Sequence, residues 1–148
     1  MNSGPPTDQA RSELMRRIRR KGTAAELAVA AELRARMAAY RLNVRSLPGS
    51  PDFANKRRKW AIFVHGCFWH QHTGCRRATV PKTNAEFWLE KFRRNRERDA
   101  TAIHALRRLG FRVGVIWECE IRDVERLSGI LAEVLEARGV DVAESVDH

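Results

Sequence analysis

Twelve consecutive residues hold most of the groups able to do chemistry: Val64-His65-Gly66-Cys67-Phe68-Trp69-His70-Gln71-His72-Thr73-Gly74-Cys75. They carry two of the three cysteines, three of the five histidines and an adjacent aromatic pair. Cys67, His72 and Cys75 have the spacing C-x4-H-x2-C, and Cys119 closes a later strand-like run. Together they make a Cys3His set, which suits a closed, tetrahedral structural Zn²⁺ site. The alternative is three reduced thiols buried as small hydrophobes. Against it, Cys67 and Cys75 flank a polar, glycine-containing loop, a poor place for core thiols. An odd number of thiols with no signal-peptide pattern ahead of them argues against a secreted disulfide framework.

With His72 assigned to zinc, His65 and His70 remain. Imidazoles titrate near neutrality and can pass protons at working pH; spacing does not say which of the two acts as base. Asp52 belongs to the same chemistry. Pro51-Asp52 opens a hairpin whose second strand ends at Val64-His65, and adjacent strand ends bearing a carboxylate and a histidine can hold a hydrated Mg²⁺ and a scissile phosphate. The competing role for Asp52 is that of a turn residue after Pro51. Glu26 is similarly ambiguous: it completes a capping box with Thr23, and it could also orient a histidine.

These groups need a frame. Residues 1–12 are rich in Pro, Gly and polar side chains and are expected to be mobile, ahead of a domain over 13–140 and a tail over 141–148. Thr23 and Glu26 mark a helix start, with Leu27, Ala30, Leu33 and Met37 as its apolar stripe. Leu42 and Val44 alternate with polar residues as a short strand. Leu47-Pro48-Gly49-Ser50-Pro51 is a turn, Pro51 to Ala54 a second strand, and residues 59–64 a third, buried one. Thr83 and Glu86 repeat the capping box before a long helix carrying Trp88, Phe92, Ile103 and Leu106, which Gly110 ends. Residues 111–117 form a fourth strand. Val124, Leu127, Leu131, Val134 and Leu135 mark a last helix, ended by Gly139. The order α-β-β-β-α-β-α predicts one α/β domain, a mixed sheet flanked by helices.

Charge narrows the partners. The chain has 148 residues and a formal net charge of +10, which favours a polyanion, nucleic acid before anionic membrane. No apolar run approaches the roughly 20 residues that span a bilayer. Arg11, Arg16, Arg17, Arg19, Arg20 and Lys21 form one cluster, and Arg93, Arg94, Arg96 and Arg98 a second on the long helix. Such runs often form a solvated face. Here they accompany the His/Cys loop and the exposed-looking Phe68 and Trp69, which points to DNA.

From about residue 15 to 119 the chain resembles the very short patch repair (Vsr) endonucleases. The anchors are Leu47-Pro48-Gly49-Ser50-Pro51-Asp52-Phe53, Ile62-Phe63-Val64-His65-Gly66-Cys67-Phe68-Trp69-His70, Pro81-Lys82-Thr83 with Glu86-Phe87-Trp88, and Trp117-Glu118-Cys119. The resemblance implies a restriction-endonuclease-like fold with a structural zinc site, and Mg²⁺-dependent nicking of one DNA strand at a T:G mismatch. It implies Asp52 and the main-chain carbonyl of Val64 as Mg²⁺ ligands, and His70 as the catalytic histidine. By the same resemblance His65 contacts the reacting phosphate or its water, and Glu26 supports His70. Cys67, His72, Cys75 and Cys119 match the zinc ligands. Phe68, Trp69 and Met15 match side chains that wedge into the duplex, with Arg16 beside them on the DNA.

Two departures stand out. Restriction-type nucleases often carry E-x-K on the strand after the Pro-Asp pair, where this chain has Phe63-Val64-His65, a substitution the Vsr branch shares. Thr73-Gly74 makes the His72-to-Cys75 spacing one residue longer than in the founding enzyme, an insertion that glycine absorbs. The resemblance further implies a monomer in the bacterial cytoplasm, at the nucleoid when acting, cooperating with mismatch-repair proteins and a DNA polymerase. The alternatives are a nicking nuclease with another lesion or sequence target, and a non-enzymatic, zinc-stabilised module that recognises distorted DNA.

Overall fold

In the computed structural model, residues 23–146 are described, with side chains through residue 135. Thr23 caps the first helix, α1 (Ala24–Ala35): its hydroxyl accepts the Glu26 N–H at 3.2 Å. This satisfies one of the amides that every helix start leaves without an internal partner. The buried stripe of α1 is Ala25, Val29, Ala30 and Leu33, whereas Leu27 and Met37 are 67 % and 90 % exposed. The buried face is therefore rotated from the expected stripe. Ala25 and Ala30, which carry little hydrophobic weight in a sequence, share that buried face with Val29 and Leu33.

Four strands follow: β1 (Arg41–Leu42), β2 (Phe53–Asn55), β3 (Trp60–His65) and β4 (Arg112–Trp117). They form one mixed sheet in the order β1-β2-β3-β4, antiparallel up to β3 and parallel between β3 and β4. The parallel pair is joined through α2 (Ala85–Arg108), because parallel neighbours need a long crossover. β1 stops before Val44, since Asn43 adopts φ 44° and the chain turns; Asn43 N–H and Val44 N–H instead bond Asp52 O and Pro51 O at 3.0 Å.

β3 is buried along its whole length, as a strand covered on both faces must be. Trp60, Ile62 and Val64 face one way, into a core with α1 and α3 (Val124–Val146). Ala61 and Phe63 face the other way, against Ala102 and Leu106 of α2. Strand alternation then puts His65 on the α2 side. On β2, Ala54 packs into this same layer, so Asp52, two residues earlier, shares its face. The three helices described thus sandwich a four-stranded mixed sheet in one α/β domain.

Two helix boundaries differ from expectation. α2 starts from Asn84 in the left-handed region (φ 59°) with no side-chain cap, so Thr83 and Glu86 do not form the predicted capping box. α3 continues through Gly139 to Val146. One glycine costs a helix about 1 kcal/mol, too little to end it without a second signal. Two other glycines act as expected. Gly110 has φ +91° and lets Phe111 N–H reach back to Leu106 O as α2 ends. At Gly49 (φ +75°) a Cβ would lie 2.5 Å from that of Ala102, so only glycine lets the turn before Asp52 seat against α2.

Candidate active site and metal centre

His65 ends β3 opposite Trp117, which ends β4. Beyond it the chain makes a tight turn, His70 N–H bonding Gly66 O at 3.1 Å, which folds His70 back over the strand end. The imidazoles of His65 and His70 stack, centroids 3.9 Å apart and planes within 3°. Asp99 of α2 joins them: one carboxylate oxygen is 2.6 Å from His70 Nδ1, the other 3.9 Å from His65 Nε2. An ionised Asp99 makes His70 Nδ1 the donor and leaves Nε2 with the lone pair, the arrangement in which a carboxylate orients a histidine base. Asp52 is buried beside them, and its Oδ2 accepts the Val64 N–H at 2.7 Å.

Glu26, Asp52, Val64, His65, His70 and Asp99 all line one pocket of about 550 Å³, with Arg98 also on its wall. The structure thus gathers every residue expected to take part in cleavage. Asp99 is the residue that sequence reasoning missed. Its signal was present: Trp88, Phe92, Asn95, Ala102 and Leu106 are the buried residues of α2, and Asp99 lies four residues after Asn95 on that stripe. A carboxylate on an otherwise packed face needs a partner, and here the partner is His70 Nδ1.

Next to the pocket lies a second cluster. One ligand atom from each of Cys67, His72, Cys75 and Cys119 falls within 4.8 Å of all the others, and this set could hold a metal ion. His72 Nδ1 is 3.7 Å from Cys67 Sγ and 3.4 Å from Cys119 Sγ. Turn hydrogen bonds shape the loop: His72 N–H to Cys67 O at 3.1 Å and Cys75 N–H to His72 O at 3.2 Å. Burial pushes the Cys67 thiol up to about 12, while a backbone hydrogen bond at Arg77 lowers that of Cys75.

Glu118, at the start of the 3₁₀ turn after β4 (Glu118–Glu120), staples the loop at both ends. One of its oxygens accepts Cys67 N–H at 2.9 Å and the other lies 3.6 Å from Arg77. Trp117 joins the two clusters, stacking on His72 (4.1 Å, 7°) and meeting the His65 ring edge-on at 5.0 Å.

The aromatic pair is not exposed. Phe68 and Trp69 are 7 % and 1 % exposed and pack with Trp88 and Phe92 of α2, Phe68 edge-on to Phe92 at 5.2 Å. Asn95 fixes them further, donating to Trp69 O at 3.0 Å. The polar neighbourhood in sequence concealed a cover that comes from a distant helix. The second arginine cluster is also partly spent: Arg93 pairs with Glu90 and Glu97, Arg94 with Glu90, and Arg98 donates to Asn95 Oδ1. Met15, Arg16 and the cluster around them lie outside the described residues.

Residues 6–77 match the family model described as DNA mismatch endonuclease Vsr. The DNA mismatch endonuclease Vsr of Escherichia coli (strain K12) is 46 % identical over 118 residues, covering 80 % of this chain and 75 % of that protein. Type II nicking enzyme V.XorIIP of Xanthomonas oryzae is 40 % identical over 128 residues, 86 % of this chain and 93 % of its own. Type II nicking enzyme V.NmeAIP of Neisseria meningitidis is 38 % identical over 135 residues, 88 % and 96 % of the two chains. The chain belongs to the Vsr DNA mismatch endonuclease family.

Proposed function

We propose that this protein is a Mg²⁺-dependent, zinc-stabilised endonuclease of restriction-endonuclease-like fold that nicks one DNA strand at a T:G mismatch, starting very short patch repair. The observation that carries the reading is the one pocket lined by Asp52 and the stacked His65 and His70, with Asp99 hydrogen-bonded to His70. A module that only bound DNA would gain nothing from an oriented imidazole over a buried carboxylate.

The donors fit the two metals. Asp52 and the Val64 carbonyl offer hard oxygens at the pocket wall, which suits Mg²⁺. Three thiols and an imidazole suit Zn²⁺, and a tetrahedral zinc site has S–N edges of about 3.6 Å, near the observed 3.4 and 3.7 Å. Bound Mg²⁺ would supply positive charge where the phosphate accumulates negative charge. His70 Nε2 takes a proton from the attacking water, and Asp99 stabilises the imidazolium that results. His65, held parallel to His70, orients the water or a phosphate oxygen, and Glu26 supports the histidine pair from α1. Arg98 adds charge favourable to the phosphate.

Met15 and Arg16 contact the duplex in this reading. Insertion of Phe68 or Trp69 beside the mismatch takes these rings out of their packing against Trp88 and Phe92, so recognition carries a conformational cost. The protein works as a monomer in the bacterial cytoplasm, at the nucleoid, and hands its nick to mismatch-repair proteins and a DNA polymerase. Incubation with T:G and C:G duplexes labelled on each strand, with and without Mg²⁺, tests the reading on a denaturing gel. A nick confined to one strand of the T:G duplex and dependent on Mg²⁺ is expected; equal cutting of both duplexes would remove mismatch specificity.

A further inference from the structure

A second groove, of about 740 Å³, runs along the β1 edge of the sheet. Its walls carry four exposed cations, Arg41 and Arg45 from β1 and the loop after it, and Lys56 and Arg57 from the β2–β3 turn. No acidic residue lines it, and among the described residues no carboxylate pairs with any of the four. Four like charges gathered without counter-charge repel one another and lower the stability of the fold, an arrangement that an anionic ligand relieves. The arginines of α2 differ in this respect, since Glu90 and Glu97 already neutralise two of them.

The groove borders the segment that leads out of the active site. Asn43 N–H bonds Asp52 O, and the strand that begins just after Asp52 supplies Ala54 and Asn55 to the groove's inner wall. From Asp52 to Asn55 the extended chain advances about 10 Å, at about 3.3 Å per residue. That matches about three base pairs of duplex, which presents one phosphate charge per about 1.7 Å of axis. An acidic peptide adding as a strand is a poorer occupant. The edge strand has only two residues, Asn43 with φ 44° breaks it, and cations flank it, features that discourage strand pairing.

We propose that Arg41, Arg45, Lys56 and Arg57 form a phosphate-backbone subsite that holds the duplex flanking the cleaved bond, without reading its sequence. This rests on the DNA-cleaving reading above. The subsite adds affinity through charge and leaves the chemical step to the pocket.

The test compares wild type with a variant combining Arg41→Ala, Arg45→Ala, Lys56→Ala and Arg57→Ala. A second variant, with the three arginines changed to lysine, keeps the charge. Binding to a matched and to a T:G duplex, each extending well past the pocket on both sides, is titrated against salt with Ca²⁺ in place of Mg²⁺. The alanine variant is expected to bind both duplexes at least about tenfold more weakly at low salt. Its slope of log K against log[salt] should be shallower by about 0.9 for each phosphate that the variant no longer neutralises. Its single-turnover nicking rate at saturating DNA should be unchanged, and the lysine variant should retain most of the wild-type affinity.

Wild-type affinity and slope in a folded alanine variant would overturn the proposal. So would loss of polyglutamate binding with DNA binding intact, which would assign the groove to acidic proteins. If the wild type nicked nothing yet the alanine variant still bound more weakly and with a shallower slope, the subsite would stand and the cleavage reading would fall.

Discussion

His65 and His70 lie face to face, rings 3.9 Å apart and parallel to within 3°, with the two oxygens of Asp99 directed at one nitrogen of each. Two imidazolium ions at that separation would repel by about 4 kcal/mol at an effective dielectric near 20. The closer carboxylate oxygen is the one on His70, and this geometry is what favours His70 over His65 as the proposed base.

Asp99→Asn tests that division of roles. The amide keeps the shape but can donate to Nδ1, which favours the wrong tautomer of His70. Nicking at saturating DNA is expected to fall by about 10²- to 10⁴-fold with little change in DNA affinity. Single-turnover kinetics and a binding titration separate the two, and an unchanged rate would leave Asp99 a structural anchor.

Metal loading provides a second test, with its sign set by Cys67. The buried thiol, pushed up to about 12, is neutral at pH 7 in the metal-free protein, so binding must displace its proton. Zinc binding should release protons into weakly buffered solution and weaken as pH falls. Isolated protein should contain about one zinc, and Cys119→Ser should lose it and melt at a lower temperature. Folded protein free of metal would contradict the assignment.

For the aromatic cluster, Trp69→Ala removes a ring that is 1 % exposed and should cost about 3–5 kcal/mol of stability, read from denaturant unfolding. A variant as stable as wild type that had lost only mismatch discrimination would mean that Trp69 is not held in the core in solution.

The candidate metal set was legible because ligand spacing is local: Cys67, His72 and Cys75 share one loop, and only Cys119 had to be brought from the 3₁₀ turn after β4. Asp52 and His65 were legible for a related reason, as β2 and β3 form a hairpin and pair in register. Asp99 was not, because its meeting with His70 spans 29 residues and depends on the rotation of α2. The burial of Phe68 and Trp69 was hidden likewise, since Trp88 and Phe92 cover them from that same helix. Local capping chemistry succeeded at Thr23 and failed at Thr83, where the chain enters α2 through a left-handed Asn84 instead.

Hydrolysis of DNA in this pocket through Asp52 and His70, as proposed, is tested by the single-turnover nicking rate of Asp52→Asn and His70→Ala on a T:G duplex. Binding by the same proteins is measured in Ca²⁺. Neither residue belongs to the Cys3His set, so both variants should fold, keep their zinc and bind the mismatch. The expected result is retained binding with nicking reduced by about 10²-fold or more in each. Wild-type nicking by folded Asp52→Asn would remove Asp52 from the chemistry of this pocket.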